Sequence, residues 1–109
     1  MVSLASGFEA RFVPQADVHA QVLFGEAVLL DVTSGTYFGL NAVGTRIWEL
    51  LAQGLTLGGV VAAMAEEFDA GPETLGRDVA AFVGALESRG LVRRQDEMAE
   101  DPAFGMVDA

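Results

Sequence analysis

The side chains that could carry acid–base, nucleophilic or metal chemistry are few in this chain of 109 residues. It contains no cysteine, which excludes thiol catalysis, disulfides and thiolate metal sites. Its one histidine, His19, has no serine in a nucleophile-elbow context, and a catalytic triad needs its members within hydrogen-bond reach. We therefore interpret His19 as a structural or solvated residue, and we expect no catalytic residues and no enzymatic activity.

Two other groups of residues invite comparison with cofactor sites. Glu66, Glu67 and Asp69 form an acidic cluster, but a hard-cation site needs several converging oxygens, and a solvated helix end explains the cluster better. The Gly58-Gly59 pair lacks the lysine and the spacing of a phosphate-binding loop. The sequence therefore predicts neither a metal nor a cofactor.

The charge balance narrows the class of partner. Sixteen acidic residues face six arginines, which gives a formal net charge of −10. Phosphate-backbone binding needs basic side chains that displace counterions, so a nucleic-acid partner is not expected. No apolar run reaches the ~20 residues of a membrane span, and the first residues lack the basic n-region of a secretory signal. We expect a cytoplasmic protein with no membrane partner.

The first half of the chain has the pattern of a three-stranded antiparallel meander. Its strands are predicted at about 18–24, 27–32 and 36–40. Residues 25–26 and 34–35 fit two-residue hairpin turns, because each pair contains a glycine, which accepts a positive φ at no steric cost. The second of these turns would place Tyr37 beside Val32.

Three helices of about 11, 12 and 18 residues are predicted to follow. Asn41 and Thr56 are suited to cap the first two, and Pro72 lies in the first turn of the third. The core stripe of the third helix is Leu75, Val79, Val83 and Leu86. We therefore expect an α+β, winged helix-turn-helix-like fold, in which a three-stranded antiparallel sheet is followed by three helices. The domain is predicted to span residues 1–94, with an acidic, mobile tail over 95–109.

The last strand of the meander is the feature that suggests an activity. Residues 36–40 carry no charge and no proline, so their open backbone edge is suited to β-strand addition by an extended peptide. Alternatively, a short N-terminal strand within residues 8–13, or a second copy of the chain, covers this edge. A homodimer that forms through the exposed strand edge is therefore an alternative.

Several short motifs follow one another in a fixed order along residues 18–94. They are a strand ending in Asp31, the pattern Gly-x-Tyr-x-x-Leu-Asn at 35–41, Ile47-Trp48, Asp78-Val79, Phe82, Leu86 and Gly90-Leu91. In this order and spacing they resemble the PqqD-like family, also called RiPP recognition elements. The resemblance implies a winged-helix fold that does no chemistry. Such a domain binds the leader segment of a ribosomally synthesised precursor peptide and presents it to a modifying enzyme or a leader peptidase.

The resemblance leaves more than one pathway open. Residues 37–41 look like the stand-alone modules of lasso-peptide pathways, which work with a separate leader peptidase. Family members that act in pyrroloquinoline quinone (PQQ) synthesis typically have a Pro-Glu pair before the turn, where this chain has Val32-Thr33. A peptide chaperone of PQQ biosynthesis is the alternative within the family.

The resemblance also implies where the peptide lies, in the groove between the third strand and the third helix. The predicted peptide-binding residues are Thr36, Tyr37, Phe38, Gly39, Leu40, Asp78, Ala81, Phe82 and Ala85. Helical spacing puts the last four on the shoulder of the core stripe, where the small Ala81 and Ala85 leave room for an apolar anchor of the ligand. Asp78 could bind ligand backbone or a basic leader residue. Alternatively, Phe82 is wholly core and Asp78 is merely solvated.

Two other functional classes share this architecture. A winged-helix transcription regulator needs a basic recognition helix, but residues 72–89 offer only Arg77 and Arg89 against three acidic residues. A self-associating structural domain would use the strand edge on itself.

Overall fold

The computed structural model describes residues 8–95, which form one three-stranded antiparallel sheet, three helices and a separate two-stranded ladder. In chain order the elements are β1 (Arg11–Pro14), β2 (Val18–Leu23), β3 (Glu26–Asp31), β4 (Thr36–Gly39), α1 (Ala42–Ala52), α2 (Leu57–Glu67), α3 (Pro72–Ser88) and β5 (Val92–Gln95). The predicted α+β arrangement of a three-stranded sheet followed by three helices is confirmed. No helix among residues 8–95 is both long and apolar enough to cross a membrane.

The register of the β3–β4 hairpin differs from the predicted one by two residues. Tyr37 lies opposite Leu30 rather than beside Val32, because the connection is a four-residue loop over residues 32–35 instead of a two-residue turn. Asp31 holds this wider loop: its carbonyl accepts from the Gly35 N–H at 2.7 Å, and its carboxylate accepts from the loop backbone. A shift by an even number leaves every side chain on its predicted face.

The β2–β3 turn also lies one residue earlier than predicted. Its two loop residues are Phe24 and Gly25, while Glu26 already pairs with Leu23. Both loop residues have positive φ, 56° and 81°, which is the backbone of a type I′ hairpin turn. The predicted turn at residues 25–26 was wrong because Phe24 is an unusual residue for such a position.

The two ends of the described chain meet in a second ladder. β1 pairs antiparallel with β5, with Arg11 opposite Gln95. The short N-terminal strand therefore exists, but it does not cover β4 as one alternative proposed. Gln95 is the last residue of β5 rather than the first of a tail. Residues 96–109 lie outside the described residues, so the mobile acidic tail and the domain boundary stay predictions.

Local signals set the helix ends as predicted. The Asn41 side chain accepts from the Gly44 N–H at 2.8 Å and caps α1, and the Thr56 hydroxyl accepts from the Gly59 N–H at 3.0 Å and caps α2. The glycine after α3, Gly90, has a φ of 75° and ends that helix in the left-handed conformation.

The core lies between the inner face of the sheet and the three helices. Its largest fully buried side chains are Leu29, Leu51, Val60, Met64, Val79, Val83, Leu91 and Val92. The predicted core stripe of α3 is confirmed, since all four of its residues are buried. This core fixes α3 against α1 and α2 and thereby sets the distance between α3 and the sheet.

Candidate peptide-binding groove

One edge of the sheet is open along β4. In the described part of the chain β4 pairs with β3 alone. The Leu40 N–H donates to the Ala27 carbonyl at 2.8 Å, and hydrogen-bonded pairs alternate along an antiparallel ladder. Phe38 therefore directs its backbone groups to β3, whereas Tyr37 and Gly39 direct theirs to the open edge. These are two N–H donors and two carbonyl acceptors for an added strand.

A buried hydroxyl group completes the hydrogen bonding of the β3–β4 ladder, at the point where β4 ends and α1 begins. Thr45 is 3% exposed, and its Oγ1 accepts from the Ala27 N–H at 2.7 Å and lies 3.4 Å from the Leu40 carbonyl, to which it donates. It satisfies backbone groups that the β3–β4 ladder leaves without a strand partner. The backbone of Leu40 is thus engaged inside the fold, and sequence reasoning missed Thr45 because its role depends on the sheet above it.

A groove runs between the end of β4 and α3, with the first turns of α1 as its floor. It holds a depression of about 310 Å³. The lining residues are Gly39, Leu40, Asn41, Val43, Gly44, Ile47, Asp78 and Phe82. Four of the predicted site residues, two from the strand and two from α3, therefore meet here. The contribution of α1 was not predicted. Val43, in the first turn of α1, is 43% exposed at the groove.

Phe82 forms one wall of the groove, and the position of its ring depends on the absence of a side chain at Gly44. An added Cβ at Gly44 would lie 3.0 Å from Cζ of the Phe82 ring, so only glycine lets the ring lie against α1 at this distance. Phe82 is half-buried rather than wholly core. One face of its ring is thus available to a ligand.

The other α3 residues of the predicted site spread around the helix. Asp78 is exposed at the groove, and it takes part in none of the ion pairs found among residues 8–95. Ala81 is exposed but lines a larger depression of about 1020 Å³ on the α2 side of α3, which Asp78 also borders. Ala85 is exposed one turn beyond Phe82 and lines neither depression.

Within β4 the side chains divide between the two faces of the sheet. Phe38 is half-buried and packs against the core, opposite Leu29. Tyr37 is 68% exposed on the outer face, and Thr36 is exposed beside the loop, where its hydroxyl bonds that of Ser34. The strand therefore offers a ligand mainly its backbone, while the groove offers apolar side chains.

The charge at the groove is negative. Among the described residues that line it, Asp78 is the charged one, and no lysine or arginine lines it. Residues 8–95 contain no cluster of three histidine, cysteine or carboxylate side chains able to hold a metal ion. The groove can thus supply backbone hydrogen bonds, apolar contact and negative charge, which together suit an extended peptide.

Comparisons with known proteins identify the family of the chain. The sequence profile of "Coenzyme PQQ synthesis protein D (PqqD)" matches residues 26–92. No curated protein matches the chain. A solved structure of TbiB1 in complex with the TbiA(beta) leader peptide is 38% identical, covers 73% of this chain and 93% of that chain, and has a TM-score of 0.71. A lasso peptide synthetase B1 complexed with the leader peptide is 28% identical, with 76% and 98% covered and a TM-score of 0.71. The predicted resemblance is confirmed, and the chain belongs to the PqqD family.

Proposed function

We propose that this protein is a non-catalytic module that binds the leader segment of a ribosomally synthesised precursor peptide. It presents the precursor to a modifying enzyme or a leader peptidase, in a pathway of the lasso-peptide type. The observation that carries the proposal is the open edge of β4 beside an apolar groove. Its support is that both similar solved structures hold a leader peptide and that one of them is a lasso peptide synthetase B1.

The leader peptide is proposed to add a fourth strand to the sheet. Its backbone would pair with the outward N–H and carbonyl groups of Tyr37 and Gly39. One of its apolar side chains would enter the 310 Å³ depression and contact Val43 and the exposed face of Phe82. Strand addition supplies affinity through backbone bonds, and the depression supplies selectivity for the side chain that enters it.

Asp78 is proposed to select the charge of the leader. It lies at the groove, is exposed, and is not engaged by an arginine within residues 8–95. A basic leader residue beside it would form an ion pair, whereas an acidic one would be repelled. Ala81 and Ala85 remain part of the proposed site as small residues on the flank of α3 that the peptide crosses.

The test is a titration of the fluorescently labelled leader of the precursor encoded nearest the gene. Val43→Glu and Ala85→Glu place a charge in the groove and on its flank, and each should weaken binding at least tenfold. Ala80→Glu is the matched control, because Ala80 is also exposed on α3 but does not line the groove and is not among the proposed site residues. If both groove variants stay folded and bind the leader with unchanged affinity, the proposed site is wrong.

Amide hydrogen exchange tests the strand itself. In the free protein the outward amides of Tyr37 and Gly39 should exchange fast, and the inward amides of Phe38 and Leu40 should be protected by β3. Leader binding should then slow Tyr37 and Gly39 selectively. Protection that appears on another edge and leaves these two amides unchanged would contradict strand addition at β4.

The family profile favours a second candidate, a peptide chaperone of PQQ biosynthesis. The competing observation is that one of the two similar structures is a lasso peptide synthetase B1. A parallel titration with the precursor of PQQ separates the two, since each candidate expects tight binding of its own peptide alone. Homodimerisation through β4 is tested in the same samples, because a leader peptide that occupies this edge should dissociate such a dimer.

A further inference from the structure

The hairpin that joins β2 and β3 ends in three consecutive exposed apolar residues. Val22 is 44% exposed, Leu23 is 51% exposed, and Phe24 has a relative exposure of 103%. We call these three residues the hairpin tip. Phe24 buries nothing against the rest of residues 8–95, so its hydrophobic surface contributes nothing to holding this part of the fold together.

The hairpin tip projects beyond the core. Val22 pairs with Ala27 and therefore belongs to the inner face of the sheet, whereas Leu23 pairs with Glu26 and belongs to the outer face. Ala27 is fully buried, yet its cross-strand neighbour Val22 is not. The tip consequently presents apolar side chains in both directions, as an anchor that inserts into a cleft would.

The backbone conformation at Phe24 is a second reason why folding does not explain a phenylalanine at this position. Its φ of 56° is the only positive value of a non-glycine residue in the described part of the chain. Type I′ turns strongly prefer asparagine or aspartate followed by glycine, and a bulky residue in this conformation is strained. A fully exposed phenylalanine at a position that favours asparagine points to contact with another molecule.

The hairpin tip is continuous with the peptide groove. A depression of about 420 Å³ runs from Leu23 past Val28 to Gly39, Leu40 and Asn41. Those last three residues also line the 310 Å³ depression of the groove. A molecule seated on the tip would therefore reach the end of β4, where a bound peptide enters or leaves the groove.

We propose that the hairpin tip docks the enzyme that acts on the bound peptide, a separate protein with an apolar cleft flanked by basic side chains. This inference rests on the proposed function. The basic flank follows from charge, because Glu26 adjoins the tip, no lysine or arginine occurs between Arg11 and Arg46, and the chain has a net charge of −10. A second copy of the chain is disfavoured as the occupant, because it would bring the same acidic residue to the contact and its net charge is also −10.

The deciding variant is Phe24→Asn. It removes the anchor and supplies the residue that the turn prefers, so its urea midpoint should rise rather than fall. Its affinity for the labelled leader should stay within twofold of wild type. Its affinity for the peptide-processing enzyme encoded nearest the gene, measured by calorimetry with the full chain and without peptide, should fall at least tenfold. Val32→Asn is the matched control, since Val32 is 52% exposed at the opposite end of the sheet.

The measured affinities decide between the docking proposal and its alternatives. If Phe24→Asn binds this enzyme as tightly as wild type, or if wild type does not bind it, the docking proposal is wrong, whatever the leader titration gives. If wild type binds the enzyme but not the leader, the proposed function fails and the docking surface stands. A wild-type affinity that does not weaken with salt would overturn the basic flank. A wild-type dimer in sedimentation that Phe24→Asn abolishes would make the second copy the occupant and overturn the proposal.

Discussion

Single residues at the start of α1 decide how the sheet and the helices meet. Thr45 joins them through one hydroxyl that contacts Ala27 on β3 and Leu40 at the end of β4. Gly44 beside it leaves the space that the Phe82 ring occupies. The shape of the groove therefore depends on two neighbouring positions, one of which supplies a polar group while the other supplies the absence of a side chain.

Replacing Thr45 by valine keeps the shape and removes the hydroxyl. The Ala27 N–H would then be buried without a partner, and we expect the free energy of unfolding to fall by about 1–3 kcal/mol. Urea denaturation measures this change. Thr74→Val is the control, because Thr74 is exposed on α3 and its replacement should change stability by less than about 0.5 kcal/mol. Equal effects of the two substitutions would show that the Thr45 bonds carry no stability.

Replacing Gly44 by alanine should weaken leader binding with little change in the stability of the protein. Alanine favours the helix by up to about 1 kcal/mol, which offsets the cost of the close contact with Phe82. Because the ring must shift toward the groove, we expect the leader affinity to fall several-fold. Gly84→Ala is the matched control, since an added Cβ at Gly84 of α3 meets no atom within 4 Å. It should stabilise the protein and leave the leader affinity unchanged, and a similar loss in both variants would contradict the role of Gly44.

At the scale of elements, the sequence predicts what local signals determine. The helices were predictable because their caps and apolar stripes lie within a few residues of each other. The β3–β4 register was not, because it depends on whether the Asp31 side chain holds a longer loop. β5 was missed because its partner β1 lies at the other end of the described chain.

The candidate site likewise has one part that the sequence predicts and another part that only the structure shows. The open edge of β4 and the exposed flank of α3 follow from strand and helix patterns. The structure brings the end of β4, Asp78 and Phe82 to the groove, whereas Ala81 and Ala85 do not line it. Val43, Gly44 and Thr45 entered only with the structure, because α1 had to be positioned under the sheet before their neighbours could be known. Local periodicity identifies the face of an element but not the element that lies across from it.

The ion pair between α1 and α2 should make stability depend on pH. Arg46 binds Glu67 through two guanidinium nitrogens, each at 2.9 Å, and this hydrogen bonding lowers the pKa of Glu67 from its ordinary value of 4.5. A lowered carboxyl pKa stabilises the fold above the unfolded-state pKa, and the effect is lost as the pH falls through the folded-state value. Glu67→Gln should therefore lower Tm at neutral pH, and the difference should shrink as the pH falls below the ordinary carboxyl pKa. Glu66→Gln is the control, and a Tm difference for Glu67→Gln that persists in acid would contradict the mechanism.

At the scale of the whole molecule, charge separates this fold from the winged-helix proteins that bind DNA. The helix that would enter the major groove is α3, where Arg77 is exposed but Glu73, Asp78 and Glu87 are exposed as well. The sheet that would form the wing has no lysine or arginine, and the chain carries a net charge of −10. The architecture alone would permit DNA recognition, whereas the charge opposes the phosphate contacts that supply most non-specific affinity.

We therefore expect no binding of duplex DNA. At about 150 mM salt, fluorescence anisotropy with a labelled duplex should give no dissociation constant below about 100 μM, the weak end of the range for non-specific binders. Lowering the salt to about 50 mM should not produce binding either, because the net charge of −10 opposes contact with the phosphates. Titration of the same protein sample with the leader peptide verifies that it is active. A sub-micromolar affinity for duplex DNA that falls steeply with added salt would contradict the assignment and favour a transcription regulator.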